Sequence, residues 1–140
     1  MKIMSWNICG MGFARKRRVI GKLISDYDFE VCFIQETKMQ DYSDSLVLRL
    51  WNAPSVSWFG NIAEGRKGGL LSLWNQSKFE VANIEYGHGW VLFGAHKASG
   101  FRCVAVGISA PCCTRKRRRL WRELCPLKHA FEDPWFLIWM

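Results

Sequence analysis

The chain has 140 residues, of which 49% are hydrophobic, with eight tryptophans and a formal net charge of +8. This length and composition predict one domain with a hydrophobic core and exclude a disordered chain. No apolar run approaches the roughly 18 residues that span a bilayer, and no cleavage pattern follows the N-terminus. We therefore expect a nuclear or cytoplasmic protein without a membrane partner.

The cysteines show no C-x-x-C pair and no zinc-ligand spacing, which favours free thiols in a reducing compartment. The six residues are Cys9, Cys32, Cys103, Cys112, Cys113 and Cys125.

The first half of the chain alternates between strand and helix patterns. Residues 3–8 predict a strand, and residues 31–34 predict a second strand that is buried on both faces. Between them, apolar residues recur at helical spacing behind a basic start. These are Val19, Ile20, Leu23, Ile24 and Tyr27. A weaker amphipathic helix follows at 41–51.

Short strands dominate the next part of the chain. We predict strands at 56–59 and 70–74, separated by a glycine-rich turn at 64–69. An antiparallel meander follows, with strands at 79–86, 91–96 and 101–108.

A last helix and a last strand complete the pattern. The helix covers 115–131, with a buried stripe formed by Leu120, Trp121, Leu124, Leu127, Lys128 and Phe131. The final strand covers 135–140. The fold class is α+β, with mixed, mostly antiparallel sheets flanked by helices.

Polar residues stand where the first two strands end. Asn7 ends the first strand, and Glu36 and Lys38 follow the second. If these strands are neighbours, their ends meet at one sheet edge, where a carboxylate and an amide suit Mg²⁺ and the ammonium can face a phosphate. The alternative is that Asn7 is a turn residue and Glu36 a solvated rim carboxylate.

Two motifs carry a family resemblance: Trp6-Asn7-Ile8-Cys9-Gly10 and Gln35-Glu36-Thr37-Lys38. They resemble the first two motifs of the endonuclease/exonuclease/phosphatase superfamily, which includes the abasic-site endonucleases, and above all the endonucleases of plant LINE-type (non-LTR) retrotransposons. The resemblance implies the N-terminal half of a four-layer α/β sandwich. It also implies Mg²⁺-dependent DNA hydrolysis, with Glu36 and Asn7 as catalytic and metal-binding residues and Lys38 near the phosphate.

The later motifs of that family are missing. The sequence contains no Gly-Asp-x-Asn and no Asp-His pair, and Ser109 stands two residues before Pro111, where the family has Tyr. The three histidines are expected to be surface or packing residues. The resemblance therefore implies a truncated, catalytically impaired domain that binds Mg²⁺ weakly or not at all. With half the sandwich missing, one sheet face would be exposed.

Basic residues form two runs, one at Arg15, Lys16, Arg17 and Arg18 and one from Arg115, Lys116 and Arg117 to Arg119. We interpret them as contacts to a nucleic acid, with DNA as the partner. A solvated helix start or a nuclear-import patch is the alternative. Besides Mg²⁺-dependent nicking, the sequence leaves open a non-catalytic nucleic-acid-binding fragment and a non-functional open reading frame. It also leaves open whether a partner chain supplies the missing half.

Overall fold

The computed structural model describes residues 1–139 and shows four layers. Two four-stranded sheets pack face to face, two helices cover the first sheet, and a third helix covers the second. The helices are α1 (Ala14–Tyr27), α2 (Asp44–Trp51) and α3 (Thr114–Leu124), followed by a 3₁₀ helix (Cys125–His129). The predicted α+β class with helices outside mixed sheets is confirmed.

The first sheet has the order β1-β2-β4-β3, with strands β1 (Ile3–Asn7), β2 (Val31–Gln35), β3 (Val56–Asn61) and β4 (Leu70–Asn75). β1 and β2 are parallel, with Asn7 opposite Gln35, and the other pairs are antiparallel. All of β2 is buried, as its continuous apolar run predicted. The parallel pairing places the ends of β1 and β2 at the same edge.

The second sheet has the order β5-β6-β7-β8, with strands β5 (Glu80–Gly87), β6 (Trp90–His96), β7 (Arg102–Ile108) and β8 (Trp135–Trp139). β5, β6 and β7 form the predicted antiparallel meander, and β8 returns parallel to β7. The predicted last strand included Met140, which lies outside the described residues.

The helices on the first sheet follow most of the predicted pattern. Ile20 and Ile24 of α1 are buried, together with Leu46, Val47, Leu50 and Trp51 of α2. Of the apolar residues that recur at helical spacing, Val19 and Tyr27 are 45% and 56% exposed and do not face the core. Leu23 is partly buried and packs against the same core cluster, so Ile20, Leu23 and Ile24 form the face of α1 that meets the core.

α3 is shorter than predicted. Its α-helical part ends at Leu124, and residues 125–129 form a 3₁₀ helix. Pro126 has no backbone N–H for the next i→i−4 hydrogen bond, so an α-helix through 131 was the wrong expectation. Leu120 and Leu124 are buried, whereas Trp121 and Lys128 are exposed and do not belong to the buried stripe.

The inner faces of the two sheets cover each other. The rings of Phe33 on β2 and Phe93 on β6 stack with centroids 5.7 Å apart. Gln35, which is fully buried, donates from Nε2 to the carbonyl of Ile108 on β7 over 3.2 Å. The expectation of one exposed sheet face was wrong, because this chain contributes four strands to each sheet. None of the helices within residues 1–139 is long and apolar enough to cross a membrane.

Candidate active site

Three loops meet at the edge where β1 and β2 end, and backbone hydrogen bonds join them. The N–H of Gly10, after β1, donates to the carbonyl of Glu36 over 2.7 Å. The N–H groups of Thr37 and Lys38 donate to Gly69 and Gly68 in the β3–β4 loop over 3.2 and 2.9 Å. This arrangement, called the rim below, is therefore fixed by the main chain of residues 8–12, 36–39 and 62–69.

Glu36 is the best-anchored acidic group of the rim. Its Oε2 accepts from the Gly68 N–H over 3.2 Å, and its Oε1 accepts from the Ser109 hydroxyl over 3.4 Å. Gly68 belongs to the loop before β4, and Ser109 follows β7, so both sheets hold the carboxylate. The half-buried side chain keeps an open side toward solvent.

The backbone at Glu36 and Lys38 adopts an uncommon conformation. Their φ angles are 54° and 56°, in the left-handed region that residues with a Cβ rarely enter. Such residues cost on the order of 1 kcal/mol or more and tend to occur where function requires a fixed side-chain direction.

Asn7 lies on the neighbouring strand end, as predicted, and is half-buried. Its Oδ1 accepts from the backbone N–H of Cys9 over 3.2 Å and from the Cys9 thiol over 3.3 Å. In this structure Asn7 therefore stabilises the turn after β1, which is the alternative role that the sequence left open. Its amide oxygen would have to leave Cys9 in order to reach a cation beside Glu36.

Lys38 is exposed at the same rim. Its Cδ lies 3.6 Å from the position that a Cβ on Gly10 would occupy, so its aliphatic stem runs along the loop after β1. The ammonium therefore reaches solvent at the edge of the rim, where an anionic group can approach it.

The basic start of α1 serves largely to hold the loop after β1. Lys16 Nζ donates to the carbonyls of Ile8 and Cys9 over 2.8 and 3.0 Å. The Arg17 guanidinium donates to the carbonyls of Met11 and Gly12 over 3.0 and 2.8 Å. These interactions have a structural role that the charge run alone did not reveal. Arg15 and Arg18 remain exposed.

The basic run on α3 lies outside the second sheet and is exposed along its length. Lys116 pairs with Glu64 of the β3–β4 loop over 3.4 Å, and Arg117 donates to Thr114 over 3.4 Å. The start of α3 is therefore tied to the loop that carries Gly68, next to the rim.

The rim offers few ligands for a metal ion. In the part of the chain that the structure describes, no three His, Cys, Asp or Glu side chains converge as a metal site. One carboxylate with a nearby amide oxygen still fits Mg²⁺, which keeps several waters and commonly takes substrate phosphates as ligands. The donor set does not suit Zn²⁺, which prefers nitrogen and sulfur.

The histidines lie away from Glu36. His88, in the β5–β6 turn, contacts Glu64 and Glu123 at 3.7 and 3.4 Å, and His96 contacts Glu80 at 3.3 Å. His129 is exposed in the 3₁₀ helix. Within residues 1–139, none of the three hydrogen-bonds to Glu36, and His88 contacts the rim only at Glu64.

Sequence reasoning missed the residues that support Glu36. Gly68 was interpreted only as a turn residue, and Thr37 and Tyr42 were not singled out. The buried Thr37 hydroxyl and the Tyr42 hydroxyl are 2.6 Å apart, and Tyr42 donates to the Asn61 carbonyl over 3.0 Å. Burial raises the pKa of Tyr42 to about 12, so the phenol stays protonated and donates at neutral pH. The glycine pair at 68–69 was the only local signal of this support.

Comparisons with solved structures identify the fold. A humanized D. rerio TDP2 is 17% identical, with a TM-score of 0.70 over 98% of this chain and 64% of that chain. The 3′ phosphatase NExo from Neisseria is 11% identical, with a TM-score of 0.71 over 99% of this chain and 56% of that chain. An endonuclease/exonuclease/phosphatase family protein from Bacteroides thetaiotaomicron is 12% identical, with a TM-score of 0.67 over 98% and 60%. The TM-scores show a shared fold, and at these low identities they show the fold alone.

The chain spans about three-fifths of the length of these structures. No curated protein matches the sequence significantly. The sequence model of the Endonuclease/Exonuclease/phosphatase family matches residues 4–138, which is nearly the whole chain. With its two packed sheets and the carboxylate at their common edge, the chain belongs to the endonuclease/exonuclease/phosphatase family.

Proposed function

We propose that the rim around Glu36 is a Mg²⁺-dependent site for hydrolysis of DNA phosphodiester bonds. The observation that carries this proposal is the geometry of Glu36. Its backbone lies in the left-handed region, and donors from two different sheets hold both of its carboxylate oxygens. A surface carboxylate without a function would not require a strained backbone and two separate supports.

The residues of the rim divide the chemistry among them. Gly68 and Ser109 fix the direction of the Glu36 carboxylate, which is the ligand for the cation, and Asn7 would join it after releasing Cys9. A Mg²⁺ ion bound there would stabilise negative charge on the phosphate oxygens. Lys38 offers a second positive charge to the same phosphate from the edge of the rim.

Two observations support DNA as the substrate. The net charge of +8 favours a polyanion. Among the structures of the same fold, D. rerio TDP2 was solved with a single-strand DNA product and NExo with a product DNA hairpin. ANGEL2, a 2′,3′-cyclic phosphatase, has a similar fold over 76% of this chain, with a TM-score of 0.58.

We further propose that the domain descends from a plant LINE-type retrotransposon endonuclease. The support is the pair of motifs at Trp6-Asn7 and Gln35-Glu36-Thr37-Lys38, joined by the basic start of α1. That the domain is truncated stays a prediction from the same resemblance.

We expect this chain alone to hydrolyse DNA slowly. The Ser109 hydroxyl donates to Glu36, and in the described residues no histidine hydrogen-bonds to Glu36, where a base would be needed. Loss of one positioned base commonly lowers the rate by about 10²- to 10⁴-fold.

Nicking of supercoiled plasmid tests the proposal. The chain should convert supercoiled to open-circular DNA slowly in Mg²⁺, and EDTA should stop the reaction. Glu36→Gln should also stop it, because the amide keeps the hydrogen bonds to Gly68 and Ser109 in part but loses the charge that binds the cation. Glu85→Gln, at an exposed position on β5, is the matched control and should nick like the wild type. Nicking that persists in Glu36→Gln would refute the proposal.

A second candidate function is nucleic-acid binding without catalysis. The exposed basic side chains of α3 favour it. This function would be supported if the chain does not nick DNA at any Mg²⁺ concentration but binds it. The affinity should then fall steeply with salt and be unchanged by EDTA.

A further inference from the structure

The outer face of α3 carries three arginines in a row. Arg115, Arg118 and Arg122 are spaced i, i+3 and i+7, so they lie on one side of the helix, opposite the buried Leu120 and Leu124. All three are exposed, and within residues 1–139 none of their side chains forms a hydrogen bond or ion pair. We call this set the arginine stripe.

The other basic residues of α3 behave differently. Lys116 pairs with Glu64, Arg117 donates to Thr114, and Arg119 pairs with Glu123 over 3.0 Å. Their charges are partly satisfied inside the protein. The arginine stripe thus consists of the basic side chains of α3 that have no partner within the described residues. Three like charges on one helix face repel one another unless an anion lies against them.

An exposed indole flanks the stripe. Trp121 follows Arg118 by three residues and is 43% exposed, although tryptophan ordinarily buries most of its surface. A basic groove beside an aromatic ring is typical of surfaces that bind single-stranded nucleic acids, because the cations follow the phosphates and the ring stacks on a base.

The position of the stripe connects it to the rim. α3 begins shortly after Ser109, which contacts Glu36, and Lys116 pairs with the loop that carries Gly68. From Arg115 to Arg122 the helix rises about 10 Å. Of the two ends of the stripe, the Arg115 end therefore lies nearer to the residues that contact the rim.

We propose that the arginine stripe and Trp121 bind a single-stranded segment of the nucleic acid, with phosphates on Arg115, Arg118 and Arg122 and a base stacked on Trp121. That the nucleic acid is DNA rests on the proposed function. A duplex keeps its bases stacked inside, so it can use the arginines but not the indole.

Fluorescence anisotropy with a labelled oligothymidylate and a labelled duplex, both in EDTA, tests this surface. Arg118→Gln/Arg122→Gln should weaken binding of the single strand at least about tenfold and reduce the salt slope by about 1.4, or 0.7 for each phosphate contact. Lys22→Gln/Arg49→Gln removes the same charge from α1 and α2, on the opposite outer layer, and should change the affinity much less. The proposal falls if the two double variants bind alike.

Trp121→Leu separates stacking from charge. It should weaken binding of the single strand by roughly 5- to 100-fold and leave the duplex almost unaffected. An equal loss for both polymers, or no loss for either, would overturn the assignment of a single strand. Thermal melting of each variant checks that the fold is intact.

The two proposals can fail separately. Binding in EDTA does not require hydrolysis, so the binding assay reports on the stripe and the nicking assay reports on Glu36. If nicking proves independent of Glu36 while the stripe variants lose binding, the proposed function falls and the stripe stands. If nicking depends on Glu36 while the stripe variants bind normally, only the stripe is refuted.

Discussion

Gly107 of β7 lies directly under the ring of Phe33 of β2, and a Cβ atom at position 107 would overlap that ring. Phe33 in turn stacks on Phe93 of β6. The spacing of the two sheets, and with it the distance between Glu36 and Ser109, therefore depends on a residue without a side chain at this point.

Gly107→Ala should lower the free energy of unfolding by about 1–3 kcal/mol, because the methyl group must displace a fully packed aromatic ring. Gly12→Ala is the control, since nothing lies within 4 Å of its Cβ position, and it should cost about 0.5 kcal/mol or less. Urea denaturation measures both. Equal free energies of unfolding for the two variants would contradict the close packing of Phe33 on Gly107.

Tyr42→Phe should cost about 1–3 kcal/mol, because it removes one of the two partners of the buried Thr37 hydroxyl and the donor to the Asn61 carbonyl. Tyr86→Phe is the matched control, since Tyr86 is 64% exposed. Its stability should stay close to that of the wild type.

The same pair has a pH signature. Burial raises the pKa of Tyr42 in the folded chain from 10.0 to about 12. The unfolded chain therefore releases the phenolic proton first, and the contribution of Tyr42 to stability falls as pH rises above 10. The alkaline loss of stability should be smaller in Tyr42→Phe than in the wild type. An identical alkaline decline in both would contradict the buried, protonated phenol.

Glu123→Ala should destabilise the second sheet by about 1–3 kcal/mol at neutral pH. Oε2 of Glu123 accepts from the indole N–H of Trp90 over 2.8 Å, and Trp90 is buried. Glu123→Gln keeps an acceptor for Trp90 and should cost less. Thermal melting distinguishes the two, and equal losses would assign the effect to the charge of Glu123.

The contribution of Glu123 to the free energy of unfolding should also depend on pH. Burial raises the pKa of this carboxyl, but hydrogen bonds from Trp90 and Arg119 outweigh burial and leave it below the ordinary 4.5. Because the folded pKa is the lower one, the stabilisation is present above pH 4.5 and is lost as pH falls through the folded pKa. The difference between wild type and Glu123→Ala should shrink over that acidic range. A difference that stays constant with pH would refute the role of the charge.

Cys113 should be the most reactive thiol. The backbone N–H groups of Lys116 and Arg115, with the charges of those side chains, lower the pKa of this exposed thiol. A lower pKa raises the thiolate fraction at neutral pH, and the thiolate is the form that iodoacetamide attacks. Mass spectrometry after brief alkylation at pH 7 should find Cys113 modified first, ahead of the exposed Cys112 and Cys125. Cys113→Ser should remove the fast phase, and a fast phase that remains would contradict this assignment.

Local patterns predicted much of the architecture. The continuous apolar run of β2, the apolar strands and turns of the meander and the helical spacing in α2 each depend on near neighbours in the chain, so the sequence alone predicts them. Pro126 lacks the backbone N–H that would continue α3, and this could also have been predicted from the sequence. The helical spacing of the residues after it led to a helix that was too long. The polar residues at the ends of β1 and β2 pointed to Asn7 and Glu36 for the same local reason.

Contacts between distant residues decided the rest. Glu36 and Ser109 are 73 positions apart, and Glu36 and Gly68 are 32 apart, so no local pattern joins them. Lys16 and Arg17 look like Arg118 and Arg122 in the sequence, yet the first two bind loop carbonyls and the other two face solvent. The sequence by itself determined the strands, the helices and the carboxylate at the sheet edge. Only the tertiary structure decided which charged side chains have a partner within the protein, because those partners are close in space but distant in the sequence.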